Sequence, residues 1–194
     1  MHSLARVHWA AYFDKLGDEP VTFDVTYLVR VDGDGPRVVL YISHEDENDL
    51  LREKGLSLAT MESCSGGLLA STLTDVAGSS DYFKGGLVAY SAEAKAAFGV
   101  DKALLAEKGT VDPDVAAAMA SAARMQLGAD IGIGVTGVAG PSEVEGKPVG
   151  TVHIALDAAG KERAISGRYP PRRLEVKRRA VYSALFELRK LLLE

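Results

Sequence analysis

The sequence predicts a layered α/β/α domain on a sheet of mixed parallel and antiparallel strands, preceded by a small β-hairpin extension. Three observations carry the prediction. From Asp49 onward, short apolar runs bounded by turn residues alternate with helix-like runs, the order of an α/β layer. The Ala-rich run after Asp112-Pro113 reads as a helix thin enough to lie tightly on a sheet. Before residue 48, Val21, Phe23, Val25, Tyr27 and Val29 alternate with Thr22, Asp24, Thr26, Leu28 and Arg30, the period of a half-buried strand.

In chain order, residues 4–16 are read as a short helix carrying Trp9, Tyr12 and Phe13. Asp32-Gly33-Asp34-Gly35 turns the first strand into a second over residues 37–43. Residues 1–48 thus form an N-terminal extension, a short helix and a hairpin, and residues 49–194 form the main domain. Strands are expected over residues 56–60, 85–90 and 131–136, with helices after the first two. Residues 68–76 continue the first strand as a helix that ends near Gly78. Asp112 caps, and Pro113 starts, the helix that stops at Gly128, since Asp accepts from free amides and Pro lacks the N–H that a first turn leaves unpaired. Residues 149–156 and 163–169 flank the turn Asp157-Ala158-Ala159-Gly160 and predict an antiparallel pair. Residues 172–193 close the chain as one long helix.

Composition narrows the class. A chain of 194 residues that is 47% hydrophobic can bury a sizeable core without metals or disulfides. Its single cysteine, Cys64, leaves no internal disulfide, and His2, His8, His44 and His153 show no zinc-ligand spacing. No metal or cofactor is therefore expected. No apolar run reaches membrane-span length, and the amino terminus lacks the basic-then-apolar order of a signal peptide, so the chain is read as cytoplasmic with no membrane partner. The net charge is −5, yet residues 161–194 hold ten Lys and Arg against four Asp and Glu. A basic segment on an acidic chain suggests a local anion site rather than nucleic-acid binding, or else only a solvated helix face.

The chemistry concentrates at Glu62-Ser63-Cys64-Ser65-Gly66-Gly67, a hydroxyl and a small-residue turn between a strand and a helix. Ser63 at a strand's carboxyl end would face helix-terminal amides able to hold an oxyanion, although a serine there can equally be a plain helix cap. In open α/β sheets ligands bind beyond the carboxyl ends of strands. Those ends also carry Tyr90 with Lys95, and Thr136-Gly137-Val138-Ala139-Gly140-Pro141. Ser91 can cap the helix of Lys95, where burial and the helix's amino-terminal end would lower the lysine pKa and make it a base for Ser63. The plain alternative is an exposed lysine. No histidine stands near a candidate serine in these motifs, which argues against a Ser-His-Asp triad. The loop at residues 136–141 offers amides and one hydroxyl to ribose or phosphate oxygens, with neither Walker nor dinucleotide spacing. Arg173 and Lys177 share one face at i,i+4 near the start of the last helix, where cations call for an anion to offset them.

Met61 to Gly67, Val88-Ala89-Tyr90-Ser91-Ala92-Glu93-Ala94-Lys95, Val135-Thr136-Gly137-Val138-Ala139-Gly140-Pro141 and Lys147-Pro148-Val149-Gly150-Thr151-Val152 resemble the carboxyl-terminal domain of CinA, the competence and damage-inducible protein family. The resemblance covers residues 49–194. It implies an amidohydrolase that converts nicotinamide mononucleotide to nicotinate mononucleotide and ammonia with a Ser/Lys dyad, mapped here on Ser63 and Lys95. A homo-oligomer is expected, and the oxyanion and substrate site is read as drawn from Cys64, Ser65, Gly66, Gly67, Tyr90, Thr136, Gly137, Ala139, Gly140, Arg173 and Lys177. Here Ser65 stands for the usual Thr, Ala92 for Asn, Asp112 for Ser and Lys177 for Arg, and Ser142-Glu143-Val144-Glu145-Gly146 replaces a glycine-rich loop. A non-catalytic nucleotide-binding module that regulates a partner through residues 1–48 is the competing reading.

Overall fold

A short strand, β4 (Leu58–Glu62), is buried at all five positions and forms the axis of the main unit. Its neighbours β5 (Phe83–Val88) and β6 (Ile131–Gly137) both run parallel to it, so three strands end at one edge of the sheet. β7 (Thr151–Ala158) and β8 (Lys161–Arg168) continue antiparallel, giving the order β5-β4-β6-β7-β8 and the mixed sheet expected. The computed structural model describes residues 2–11, 21–32, 35–42, 45–159 and 161–194, with side chains from Glu47 onward. Residues 1–46 and 47–194 are separate compact units.

Alternation along β4 assigns the two faces. Leu58 points into a cluster with Leu69 and Leu73 of α2 (Leu68–Thr74) and Val176, Ala180, Ala184 and Leu188 of α6 (Arg173–Leu192). Ala59 and Met61 point the other way, onto Val115, Met119 and Ala123 of α5 (Pro113–Leu127). The Asp112 carboxylate accepts from the Asp114 amide, and Gly128 in the left-handed region ends α5, as the Asp-Pro and Gly signals require. The alanines of α5 allow close packing: a Cβ at Gly132 would run into the Ala120 carbonyl oxygen, and one at Gly134 into that of Ala116. Gly134→Val should therefore cost at least about 3 kcal/mol, because a backbone rather than a flexible side chain blocks the space. Urea unfolding of this variant checks it, and an unchanged midpoint would show that α5 can lift off the sheet.

Residues 58–62 form the first strand of this sheet, two residues later than the apolar pattern suggests. α1 (Glu45–Lys54) precedes it and was not anticipated. The connection after Ser91 divides into α3 (Ala92–Ala97) and α4 (Lys102–Lys108).

In the first unit, β1 (His2–Ala11), β2 (Val21–Asp32) and β3 (Gly35–Ile42) form an antiparallel sheet in that order. The β2–β3 hairpin is as read, with Asp32 opposite Gly35. The short helix is not: residues 4–11 are strand, paired without a break from His2 opposite Arg30 to Ala11 opposite Val21. Ala5, Val7, Trp9 and Ala11 repeat every two residues, and a ladder to β2 satisfies every second backbone group that a short isolated helix would leave to water. Tyr12, Phe13 and the rest of the expected helix lie outside the described residues, as do Gly33, Asp34 and Ser43. Among the described residues no helix is long and apolar enough to cross a membrane.

Candidate active site

Glu62, the last residue of β4, points to the α2 face and is 1% exposed. Its carboxylate accepts from the amides of Gly67 and Leu69 at 3.0 Å and of Ala70 at 2.8 Å. Gly67, with φ +88°, opens α2 without a side chain, so Glu62 acts as its cap from across the loop. The chain between them turns tightly, the Gly66 amide donating to the Ser63 carbonyl at 3.1 Å, with Gly66 also left-handed. Gly66, Gly67, Leu69 and Ala70 amides are thus taken. Those of Cys64 and Ser65, the two central residues of the turn, donate to no backbone carbonyl among the described residues and lie within reach of the Cys64 sulfur. Of the amides expected to face an oxyanion, Gly66 and Gly67 are engaged by Ser63 and Glu62 instead.

Ser63 continues onto the opposite face, extending the row of Ala59 and Met61. Its amide donates to the Val135 carbonyl of β6, and the Ala89 amide beyond β5 donates to the Glu62 carbonyl, both at 2.8 Å, so the serine is pinned between two parallel neighbours. Lys95 comes from α3, whose cap is the Ser91 hydroxyl, accepting from the Ala94 amide. Its Nζ donates to Ser63 Oγ at 2.9 Å and to the Ala89 carbonyl at 2.9 Å, with the whole lysine shielded from solvent. Burial, which disfavours the ammonium, lowers its pKa to about 8. The expected contribution of the helix end is not the cause: α3 has six residues, and Lys95 is as near its last turn as its first. The Glu145 carboxylate works against the shift. A Cys64 thiolate would too, but burial pushes that thiol up to about 12, so at neutral pH it carries no charge.

Cys64 is 4% exposed and packs in the α2–α6 cluster, on the other side of the sheet from Lys95. Placed there, it shares no hydrogen bond with Lys95, whereas Ser63 does. Ser65 is fully buried, its hydroxyl without a partner among the described residues, so it presents no side chain to a ligand. Nor does Thr136, which is buried and donates to the Thr110 carbonyl at 2.6 Å. This corrects the expectation that the loop at residues 136–141 offers its hydroxyl to sugar or phosphate. Gly137 ends β6 with no room for a Cβ beside the Thr151 carbonyl, and Ala139 belongs to the core. His153 meets Ser166 and no other serine.

Arg173 spans two loops, donating to the Gly140 carbonyl at 2.9 Å and to the hydroxyl of the exposed Tyr90 at 3.0 Å. Lys177, one turn on, lies half-buried with its Nζ 3.5 Å from where a Cβ of Gly66 would stand. It makes no ion pair or hydrogen bond among the described residues. Ser63, Lys95, Gly66 and Lys177 are therefore brought together, with Tyr90, Gly140 and Arg173 linked beside them. Sequence reading gave no role to Glu62, although a glutamate closing a mostly apolar strand just before Ser63 was a signal. It also missed Glu145, which accepts from the amide and hydroxyl of Thr110 and from the Val111 amide. Among the described residues no cluster of His, Cys, Asp and Glu could hold a metal.

Fold and site define an α/β domain with a buried Ser–Lys pair at the carboxyl ends of three parallel strands. Residues 43–192 match the model of the CinA C-terminal domain, and the chain belongs to that family. It is 48% identical over 141 residues to a putative competence-damage inducible protein of Moorella thermoacetica, covering 72% of this chain and 34% of that protein. A CinA-like protein of Geobacter sulfurreducens is 60% identical over 114 residues, covering 57% and 28%. The chain thus spans about a third of the length of these curated relatives. Among solved structures, the competence or damage-inducible protein of Enterobacter asburiae superposes with a TM-score of 0.74 at 31% identity, over 77% of this chain and 95% of that one. The Agrobacterium tumefaciens protein CihA gives 0.70 at 36% identity, over 77% and 96%.

Proposed function

We propose that this domain hydrolyses the carboxamide of nicotinamide mononucleotide, releasing ammonia and nicotinate mononucleotide. The observation that carries the reading is Lys95: shielded from solvent, with its pKa lowered, and 2.9 Å from a serine hydroxyl. A neutral lysine there accepts the Ser63 proton along that line while still donating to the Ala89 carbonyl. Ser63 Oγ then bonds to the carboxamide carbon, and the Cys64 and Ser65 amides receive the oxyanion. As the carbon–nitrogen bond breaks, the Lys95 ammonium returns the proton to the leaving group, which departs as ammonia. Water, deprotonated by the same lysine, adds to the ester and frees Ser63 and the carboxylate.

The substrate assignment rests on the resemblance of the four motifs and on the unpaired Lys177 ammonium, which suits a phosphate across the loop from Ser63. Arg173 already serves two protein acceptors, so the two cations should separate in experiment. Lys177→Ala is expected to weaken the mononucleotide about ten- to a hundredfold, the worth of one charge-assisted contact, and to leave the riboside nearly untouched. Arg173→Ala, which frees Tyr90 from Gly140, should weaken both. Equal losses for the two ligands in Lys177→Ala would remove the phosphate from this site. The reaction itself is tested by ammonia release from the mononucleotide, the riboside and free nicotinamide, with the mononucleotide expected to be best.

A further inference from the structure

We propose that Glu62 is a positioning residue: by capping α2 from the last position of β4 it fixes the Ser63–Gly67 turn, and with it the Cys64 and Ser65 amides that receive the oxyanion. The inference rests on the proposed acyl transfer at Ser63, and on three observations. A carboxylate 1% exposed is costly to bury, and here it is compensated by three amide donors of one helix end. Those donors open a helix whose N-cap, Gly67, has no side chain with which to cap it. Glu62 and Ser63 are also adjacent on one strand, so their side chains leave on opposite faces, and whatever fixes Glu62 fixes where Ser63 and the turn after it stand.

The carboxylate anchors the left-handed Gly66-Gly67 pair through the Gly67 amide and holds α2 against the end of β4. The turn between Ser63 and Gly67 then has one geometry, and its two central amides are held in one place.

The test is the rate at which a fluorophosphonate labels Ser63, monitored by intact mass. It builds a charged oxygen in the same place without needing the nucleotide. Glu62→Gln keeps the shape but sets an amide N–H₂ against backbone N–H donors. Labelling should slow about a hundredfold, the scale of a misplaced oxyanion site, with the pH midpoint of labelling unchanged. A merely structural role would loosen the packing, let water reach Lys95 and move that midpoint toward free lysine. Should Glu62→Gln fail to fold, Glu62→Asp keeps the charge, loses reach and is expected to slow labelling similarly. Labelling of either folded variant at the parental rate, or a shifted midpoint, overturns the proposal. A parent labelled at Ser63 that releases no ammonia from the mononucleotide would instead dismiss the substrate while leaving the Glu62 comparison decisive.

Discussion

Ser63→Ala should lower turnover by at least about a thousandfold while mononucleotide affinity stays within a fewfold of the parent. Removing the nucleophile of an acyl-transfer site leaves only binding and oxyanion stabilisation, which carry a small part of the acceleration. The fold should be untouched, since Ser63 is tied to β6 through its backbone amide rather than its hydroxyl. Cys64→Ala makes the complementary case. Its thiol stays protonated up to about pH 12 and packs against α2 and α6, so its loss removes a little core volume and no chemistry. Steady-state kinetics on the two variants check both statements. An inactive Cys64→Ala beside an active Ser63→Ala would reverse the assignment.

Lys95→Arg should be nearly inactive despite keeping the charge, because a guanidinium does not release its proton in the working range. Lys95→Met should be inactive as well. For the parent, the acylation rate should rise with pH and level off above an apparent pKa near 8. At pH 7 about a tenth of such a lysine is neutral, against less than one part in a thousand for a free one. The same shift carries a stability signature. A lysine that titrates near 8 when folded and near 10.5 when unfolded holds fewer protons in the folded state between those values, so stability rises with pH across that window. The gain is on the order of 3 kcal/mol for a shift of this size. Below pH 8 the full penalty of burying the ammonium is present, and Lys95→Met escapes it. Denaturation of parent and Lys95→Met at pH 8 and pH 10.5 should show a rise in the parent that the variant lacks. Near-native turnover by Lys95→Arg would make Lys95 a positioning group and send the search for a base elsewhere.

Much of this architecture was legible because local signals and tertiary demands agreed. Asp112-Pro113 and Gly128 bound α5 in sequence and in space, and its alanines anticipated the contact with Gly132 and Gly134. The convergence of Ser63 and Lys95 came from strand direction: if β4 and β5 are parallel, the segments that leave their carboxyl ends must meet at one edge. Residues 4–11 form a strand rather than the start of a helix because, although Trp9, Tyr12 and Phe13 are spaced as on one helical face, the two-residue repeat from Ala5 to Ala11 has a strand to pair with. Thr136 and Gly67 illustrate a different gap. Residue type shows that a hydroxyl or an amide exists, but only the folded chain shows whether it is already engaged, as Thr136 is with Thr110 and Gly67 with Glu62. Arg173 and Lys177 are the converse case: sequence reads them as one pair of cations, whereas the fold engages Arg173 with Gly140 and Tyr90 and leaves Lys177 unpaired among the described residues beside the loop of Ser63.

An acyl-enzyme on Ser63 is the central claim, and partition by hydroxylamine tests it most directly. With nicotinamide mononucleotide as substrate and acylation limiting, the hydroxamate of nicotinate mononucleotide should replace the acid in proportion to added hydroxylamine, while the rate of substrate loss stays constant. Both nucleophiles would then be dividing one intermediate formed before either acts. Acid as the sole product at every hydroxylamine concentration, or substrate loss that accelerates as hydroxylamine is raised, would contradict an acyl-enzyme and place the attacking nucleophile in solution rather than on Ser63.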